Sequence, residues 1–281
     1  METHLFNGYL GQLAQSWESF KSIGRDIGMV RLLSDDDFYG LCAAVTEIVF
    51  EKIAATQPGA TIILEKTPDH VGYAPLILRL LPEASFVHII RDPRSVVSSL
   101  AMAASSWGRR WASTNVIHNA FRWRSDVTHG RQIGALTQRY YEIRYEDLLS
   151  DGAKTLENLF AWFELPQDLA FCQSALDACA INMMQEGGKR IRGYESLKRT
   201  PAGFVRKGRS DAWKEELSST AVATVEYVTG DLMQQCGYSL SAGKIGSGVK
   251  ARVATHSMLN YVEPRVLWRA ASVFKKLHSL A

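Results

Sequence analysis

The stretch SFVHIIRDPRSVVSSL, Ser85 to Leu100, constrains the fold more than any other part of the chain. An apolar, β-forming run ends at Ile90, a charged turn Arg91-Asp92-Pro93-Arg94 follows, and a helical pattern opens at once. Pro93 suits the first turn of that helix, where a missing N–H leaves no bond unmade. A strand that feeds directly into a helix is the half-unit of an α/β fold with a parallel sheet. Two further runs read as strands, Thr61–Leu64 (TIIL) and Tyr140–Tyr145 (YYEIRY). TIIL and SFVHII are nearly continuous in apolar residues, as expected where helices cover both faces of a strand.

Helical patterns fill the intervals: Asp35–Ala55, Val71–Leu81, Ser95–Ala104, Thr114–Thr128, Ala153–Phe163, Pro166–Cys179 and Ser218–Cys236. Three aspartates open the first of these, which favours a helix N-terminus by capping and by the dipole. Phe38, Leu41, Cys42, Val45, Ile48 and Val49 recur along it at helical spacing. Gly237 follows the last as a stop signal. Residues 187–209 read as a long loop, and loops of that length usually carry function.

The composition narrows the classes. With 281 residues and 46% hydrophobic content, the chain can bury one large core. A net charge of +3 lacks the dense basic footprint of a nucleic-acid binder. The four cysteines have no C-x-x-C spacing, so no zinc site is expected and free thiols in a reducing compartment are. No secretory leader is read at METHLFNGYL, and no apolar run reaches the ~20 residues needed to span a bilayer. A soluble, cytoplasmic protein is the expectation.

Ligands of open α/β sheets bind at the carboxyl ends of strands, which places Arg91 where a phosphate would sit. Ser99 lies eight residues on, along the following helix. Lys66 and Thr67 come just after TIIL, Tyr145 ends the third strand, and FVRKGRSDAWK supplies Arg206, Lys207 and Gly208. Together these motifs resemble the sulfotransferases that use 3′-phosphoadenosine 5′-phosphosulfate (PAPS), over roughly residues 2–240. The likeness is to the tyrosylprotein-type and bacterial branches. It implies a three-layer, P-loop-like α/β fold with a central parallel sheet flanked by helices. Residues 1–240 would form that domain, 241–248 (SAGKIGSG) a linker, and 249–281 a helical tail.

The resemblance also implies roles. Arg91 and Ser99 would bind the 3′-phosphate, with Tyr145 near it and the adenine, and Arg206, Lys207 and Gly208 closing over it. The motif ends in Trp213-Lys214, although SDAW stands where GDW is usual. Lys66 would stabilise the leaving phosphate side. For the base there are two main candidates. Glu2, in Glu2-Thr3-His4, resembles an E-T-R segment with His4 replacing the arginine. His70 stands four residues after Lys66, not two as in the cytosolic K-T-H pattern. His4 is a weaker third. PAPS is the implied co-substrate, no metal is called for, and carbohydrate, lipid-linked and peptide acceptors stay open.

One family feature is not found: the R-S-G-T-[ST] loop that holds the 5′-phosphosulfate. The expectation is that it lies upstream of Met1 and that this chain alone has low or no transferase activity. A second expectation is a catalytically silent 3′-phosphoadenosine-binding module that acts through partners. In the tail, Val266, Leu267, Ala270, Val273, Phe274 and Leu277 share one face and Arg265, Arg269 and Lys276 lie largely elsewhere. That pattern suits contact with a membrane surface or a protein partner, and equally a tail packed on its own domain.

Overall fold

The computed structural model describes residues 2–23, 28–165, 167–179 and 208–259. It is mostly helical, with a small two-stranded parallel sheet. The helices are α1 (Gly11–Ser22), α2 (Asp35–Ala55), α3 (Ala74–Leu80), α4 (Pro93–Ala104), α5 (Val116–Ile133), α6 (Tyr145–Ser150), α7 (Gly152–Trp162), α8 (Leu169–Ala178), α9 (Trp213–Glu216), α10 (Ser219–Gln235) and α11 (Ser247–Leu259). The strands are β1 (Phe86–Ile90) and β2 (Tyr140–Arg144). A π-helical stretch, Leu5–Leu10, precedes α1, and a 3-10 stretch, Pro68–Tyr73, precedes α3. Two compact units result. The first gathers residues up to Phe86 with Gln132–Arg139; the second takes Val87–Arg131 and the described residues from Tyr140 onward.

In the first unit, α2 begins where its aspartates demand. The Ser34 hydroxyl accepts the Asp37 N–H, and the Asp37 carboxylate accepts the Ser34 N–H, a reciprocal cap. Phe38 then stacks on Trp17 with centroids 4.3 Å apart, while the Trp17 indole N–H donates to Asp35. Leu5, Phe6 and Leu10 join Trp17, Phe38, Cys42, Ile77 and Leu80 in one core. Leu41, Val45 and Ile48, on the same helical pattern, are exposed.

One expected strand does not form. Thr61–Leu64 pairs with no strand among the described residues, and Ile62, Ile63 and Leu64 are exposed. β-forming side chains make a strand only with a ladder partner and a covered face, and neither is present here.

The π-helical turn makes Gly11 a point of close approach. A Cβ there would lie 2.2 Å from the Phe6 carbonyl oxygen and 2.2 Å from the Tyr73 ring. The backbone oxygen cannot swing aside. Gly11→Ala should therefore cost about 3 kcal/mol, as overpacked sites do. Urea denaturation followed by tryptophan fluorescence checks this; an unchanged midpoint would contradict it.

In the second unit, β1 and β2 lie beside α5 and α10, and Ile90, Trp123, Val127, Met233 and Tyr238 pack together. Asp92 caps α4 by accepting the Arg94 N–H at 2.8 Å. Val97, Ala120, Val225, Val228, Val249 and Val253 form a second cluster that seats α11 on α10. Helix α11 thus starts at Ser247 and packs on its own unit; residues 260–281, with the proposed amphipathic face, lie outside the described residues. No helix among the described residues is long and apolar enough to cross a membrane.

Candidate functional site

Side chains from two helices, α5 and α6, hold the turn after β1 by its backbone. The Trp123 indole N–H, on α5, donates to the Arg91 carbonyl at 2.8 Å. Glu146, on α6, accepts the Asp92 N–H at 3.1 Å and the Tyr238 hydroxyl at 2.7 Å. Tyr238 reaches this point because α10 stops at Gly237, whose φ of +78° turns the chain back. The turn is therefore built, not merely left between strand and helix.

On that frame the Arg91 guanidinium lies over the Tyr145 ring, 4.6 Å from its centroid. Both residues follow the carboxyl ends of their strands. Arg91 Nε is buried without a hydrogen-bond partner, and NH2 makes a long bond, 3.4 Å, to the Arg209 carbonyl. A planar fork with donors to spare, set on an aromatic face, is suited to a phosphate. Ser95 donates to the Ser210 carbonyl at 2.8 Å, so the chain just after Gly208 lies against the start of α4. Ser99, half-buried, is one turn further along the same face. Gly208 has a φ of +57°; Arg206 and Lys207 lie outside the described residues.

The second arginine of the turn has a different task. Arg94 is buried and bonds Asp92, the Glu226 carboxylate (2.7 Å) and the Ser241 hydroxyl (3.1 Å), and it lies 4.0 Å from the centroid of Trp213. Glu226 also accepts the N–H groups of Ser241 and Ala242. Burial acts to raise the Glu226 pKa, but donors from Ser241, Ala242 and Arg94 outweigh it and hold the carboxyl below its usual range. Ser98 bonds Glu216. Sequence reasoning singled out none of these roles for Arg94, Glu146, Glu226 and Tyr238. A signal existed for Glu226, an acid set between Val225 and the apolar Tyr227-Val228 of α10.

In the first unit, Lys66 and Glu2 meet as an ion pair, with His4 Nε2 3.8 Å from the other Glu2 oxygen. The Lys66 and Glu2 side chains are 57% and 43% exposed, open to a ligand. His70 is placed otherwise. It is buried, with Nδ1 2.9 Å from Glu65 and Nε2 accepting the Phe6 N–H at 3.3 Å. Neither nitrogen is left to take a proton from an acceptor.

Among the described residues no cluster of His, Cys, Asp and Glu could hold a metal ion. A family model described as "Sulfotransferase family" matches residues 14–168. That span includes Lys66, His70, Arg91, Ser99 and Tyr145, and leaves out Glu2 and residues 206–208. Two curated relatives are named omega-hydroxy-beta-dihydromenaquinone-9 sulfotransferase Stf3, from Mycobacterium bovis (strain ATCC BAA-935 / AF2122/97) and Mycobacterium tuberculosis (strain CDC 1551 / Oshkosh). Each is 30% identical over 109 residues, 36% of this chain and 28% of the relative. The match spans little more than a quarter of the length of those relatives.

Proposed function

The chain belongs to the sulfotransferase family, and from that premise we propose that it uses PAPS to sulfate a hydroxyl acceptor. The observation that carries the reading is Arg91, an arginine with an unpartnered buried Nε stacked on Tyr145 past the ends of β1 and β2. The donor supplies an activated sulfuryl group on a 5′-phosphate. Arg91, Ser99 and Tyr145 would hold its 3′-phosphoadenosine end, with Arg206, Lys207 and Gly208 as the closing loop. Glu2 takes the proton of the acceptor hydroxyl as that oxygen bonds to sulfur. Lys66 neutralises the phosphate oxygen that keeps the electron pair of the broken S–O bond. His70 is not the base in this reading, because both of its nitrogens are engaged.

We read β1 and β2 as part of a larger parallel sheet in a three-layer, P-loop-like fold. The run Thr61–Leu64 supports that reading by its sequence, which is that of a strand, although it has no ladder among the described residues. For the acceptor, the relatives' names point to a hydroxylated dihydromenaquinone, so a lipid-linked hydroxyl is the first to try.

The test is incubation with sulfur-35-labelled PAPS and such a hydroxylated quinol. Label in the acceptor is the result this reading predicts, and it would set aside the sequence expectation of low or no transfer. Tight binding of 3′-phosphoadenosine 5′-phosphate without label transfer would favour the silent binding module. Neither binding nor transfer would sink the reading.

A further inference from the structure

Glu2 and Lys66 are exposed, and an exposed ion pair is too weak to fix its own geometry. Their neighbours in sequence supply what the pair lacks. One Glu65 oxygen accepts the Thr3 N–H at 3.0 Å, the Thr3 hydroxyl at 2.9 Å and the Thr67 hydroxyl at 2.6 Å. The other accepts the Thr67 N–H at 3.1 Å and faces His70 Nδ1 at 2.9 Å. His70 then reaches back across the segment, and its Nε2 accepts the Phe6 N–H at 3.3 Å. Because Nε2 must offer a lone pair to Phe6, the ring proton sits on Nδ1, where it donates to Glu65. Phe6 is itself buried, with its ring edge-on to His70 at 5.2 Å.

We propose that Glu65 and His70 are positioning residues, a clasp that holds residues 3–6 on the 65–70 turn and so brings Glu2 onto Lys66. Thr3 adjoins Glu2 and Glu65 adjoins Lys66, so the clasp fixes both backbones one residue from the reacting side chains. The role rests on the assignment of Glu2 and Lys66 made above. The clasp also has a proton sense. A second proton, on Nε2, would face the Phe6 N–H donor to donor. Burial holds the His70 pKa below its ordinary 6.5, against the pull of Glu65 and Asp69 and together with the neighbouring His4. Burial acts to raise the Glu65 pKa, but bonds from Thr67 and Thr3 keep that carboxyl below its ordinary 4.5. A histidine whose folded pKa is lowered contributes fully above its unfolded value and is lost as pH falls through the folded one. The clasp is therefore complete above pH 6.5 and weakens progressively as pH falls from there through the lower folded value, while Glu65 remains ionised where that loss begins.

Glu65→Gln replaces one acceptor oxygen with a donor and is the direct test. Amide exchange at Thr3 and Phe6 should accelerate at least about tenfold, since local opening sets the exchange rate. Turnover should fall roughly 100-fold, as displaced catalytic groups do, with affinity for 3′-phosphoadenosine 5′-phosphate unchanged. His70→Phe keeps the ring against Phe6 but removes both nitrogens, and should act in the same direction. The unsubstituted protein gives a third readout: Phe6 exchange, corrected for its intrinsic pH dependence, should rise as pH falls below 6.5. Unaltered Thr3 and Phe6 exchange in Glu65→Gln would overturn the clasp. Full turnover in Glu65→Gln, with turnover lost in Glu2→Gln, would overturn the positioning role alone. Full turnover in Glu2→Gln would instead overturn the reading of the base.

Discussion

Arg94→Ala should destabilise the second unit by about 3–5 kcal/mol, the scale seen when one partner of a buried ion network is removed. The substitution leaves Asp92 and Glu226 buried without their shared cation, and it uncovers the face of Trp213. Glu226 would still hold the N–H groups of Ser241 and Ala242, which softens the loss without cancelling it. The charge alone does not explain the site. Arg94 spreads its bonds over Asp92, Glu226 and Ser241 through a planar fork, which a lysine ammonium cannot reproduce. Arg94→Lys should therefore recover only part of the stability. Equilibrium urea unfolding of both variants is the measurement. A loss under about 1 kcal/mol for Arg94→Ala would place the pair among surface ion pairs and contradict the account.

Lys66→Ala should lower turnover by about 100- to 1000-fold, the cost of removing one group that meets charge developing in the transition state. Affinity for 3′-phosphoadenosine 5′-phosphate should be preserved, because that end of the donor is assigned to Arg91 and its neighbours. The split between turnover and nucleotide affinity is what separates this role from a folding defect. Glu2 would lose its partner in the same variant. Lys66→Arg keeps the charge but widens the head, and should restore little. Full turnover in Lys66→Ala would remove the lysine from the chemistry.

Much of the fold was legible in residue patterns because it is written locally. The aspartates of α2, the Pro93 start of α4 and the Gly237 stop of α10 each mark a helix end by chemistry within a turn. Thr61–Leu64 misled because a strand is decided by its neighbours, and its residues alone specify only extended, apolar chain. The site divides the same way. Arg91 and Tyr145 stood out in sequence because each follows an apolar or β-forming run, and the structure sets the guanidinium of one over the ring of the other. Arg94, Glu146, Glu226 and Tyr238 are tied by bonds across 92 to 132 positions, or across a two-residue turn into a buried network. No local pattern announces such ties. His70 was a candidate base for its place after Lys66, and no sequence pattern showed that its two ring nitrogens face Glu65 and the Phe6 N–H.

Arg91 is proposed to read a 3′-phosphate. Titration calorimetry of the protein and of Arg91→Ala, each with 3′-phosphoadenosine 5′-phosphate and with adenosine 5′-phosphate, tests it directly. The unsubstituted protein should prefer the 3′-phosphorylated nucleotide by at least about tenfold, since a charge-assisted bond contributes ~1.5–3 kcal/mol. Arg91→Ala should lose most of that preference while keeping its fold. Equal affinity for the two nucleotides in the unsubstituted protein, or an undiminished preference in Arg91→Ala, would contradict the account.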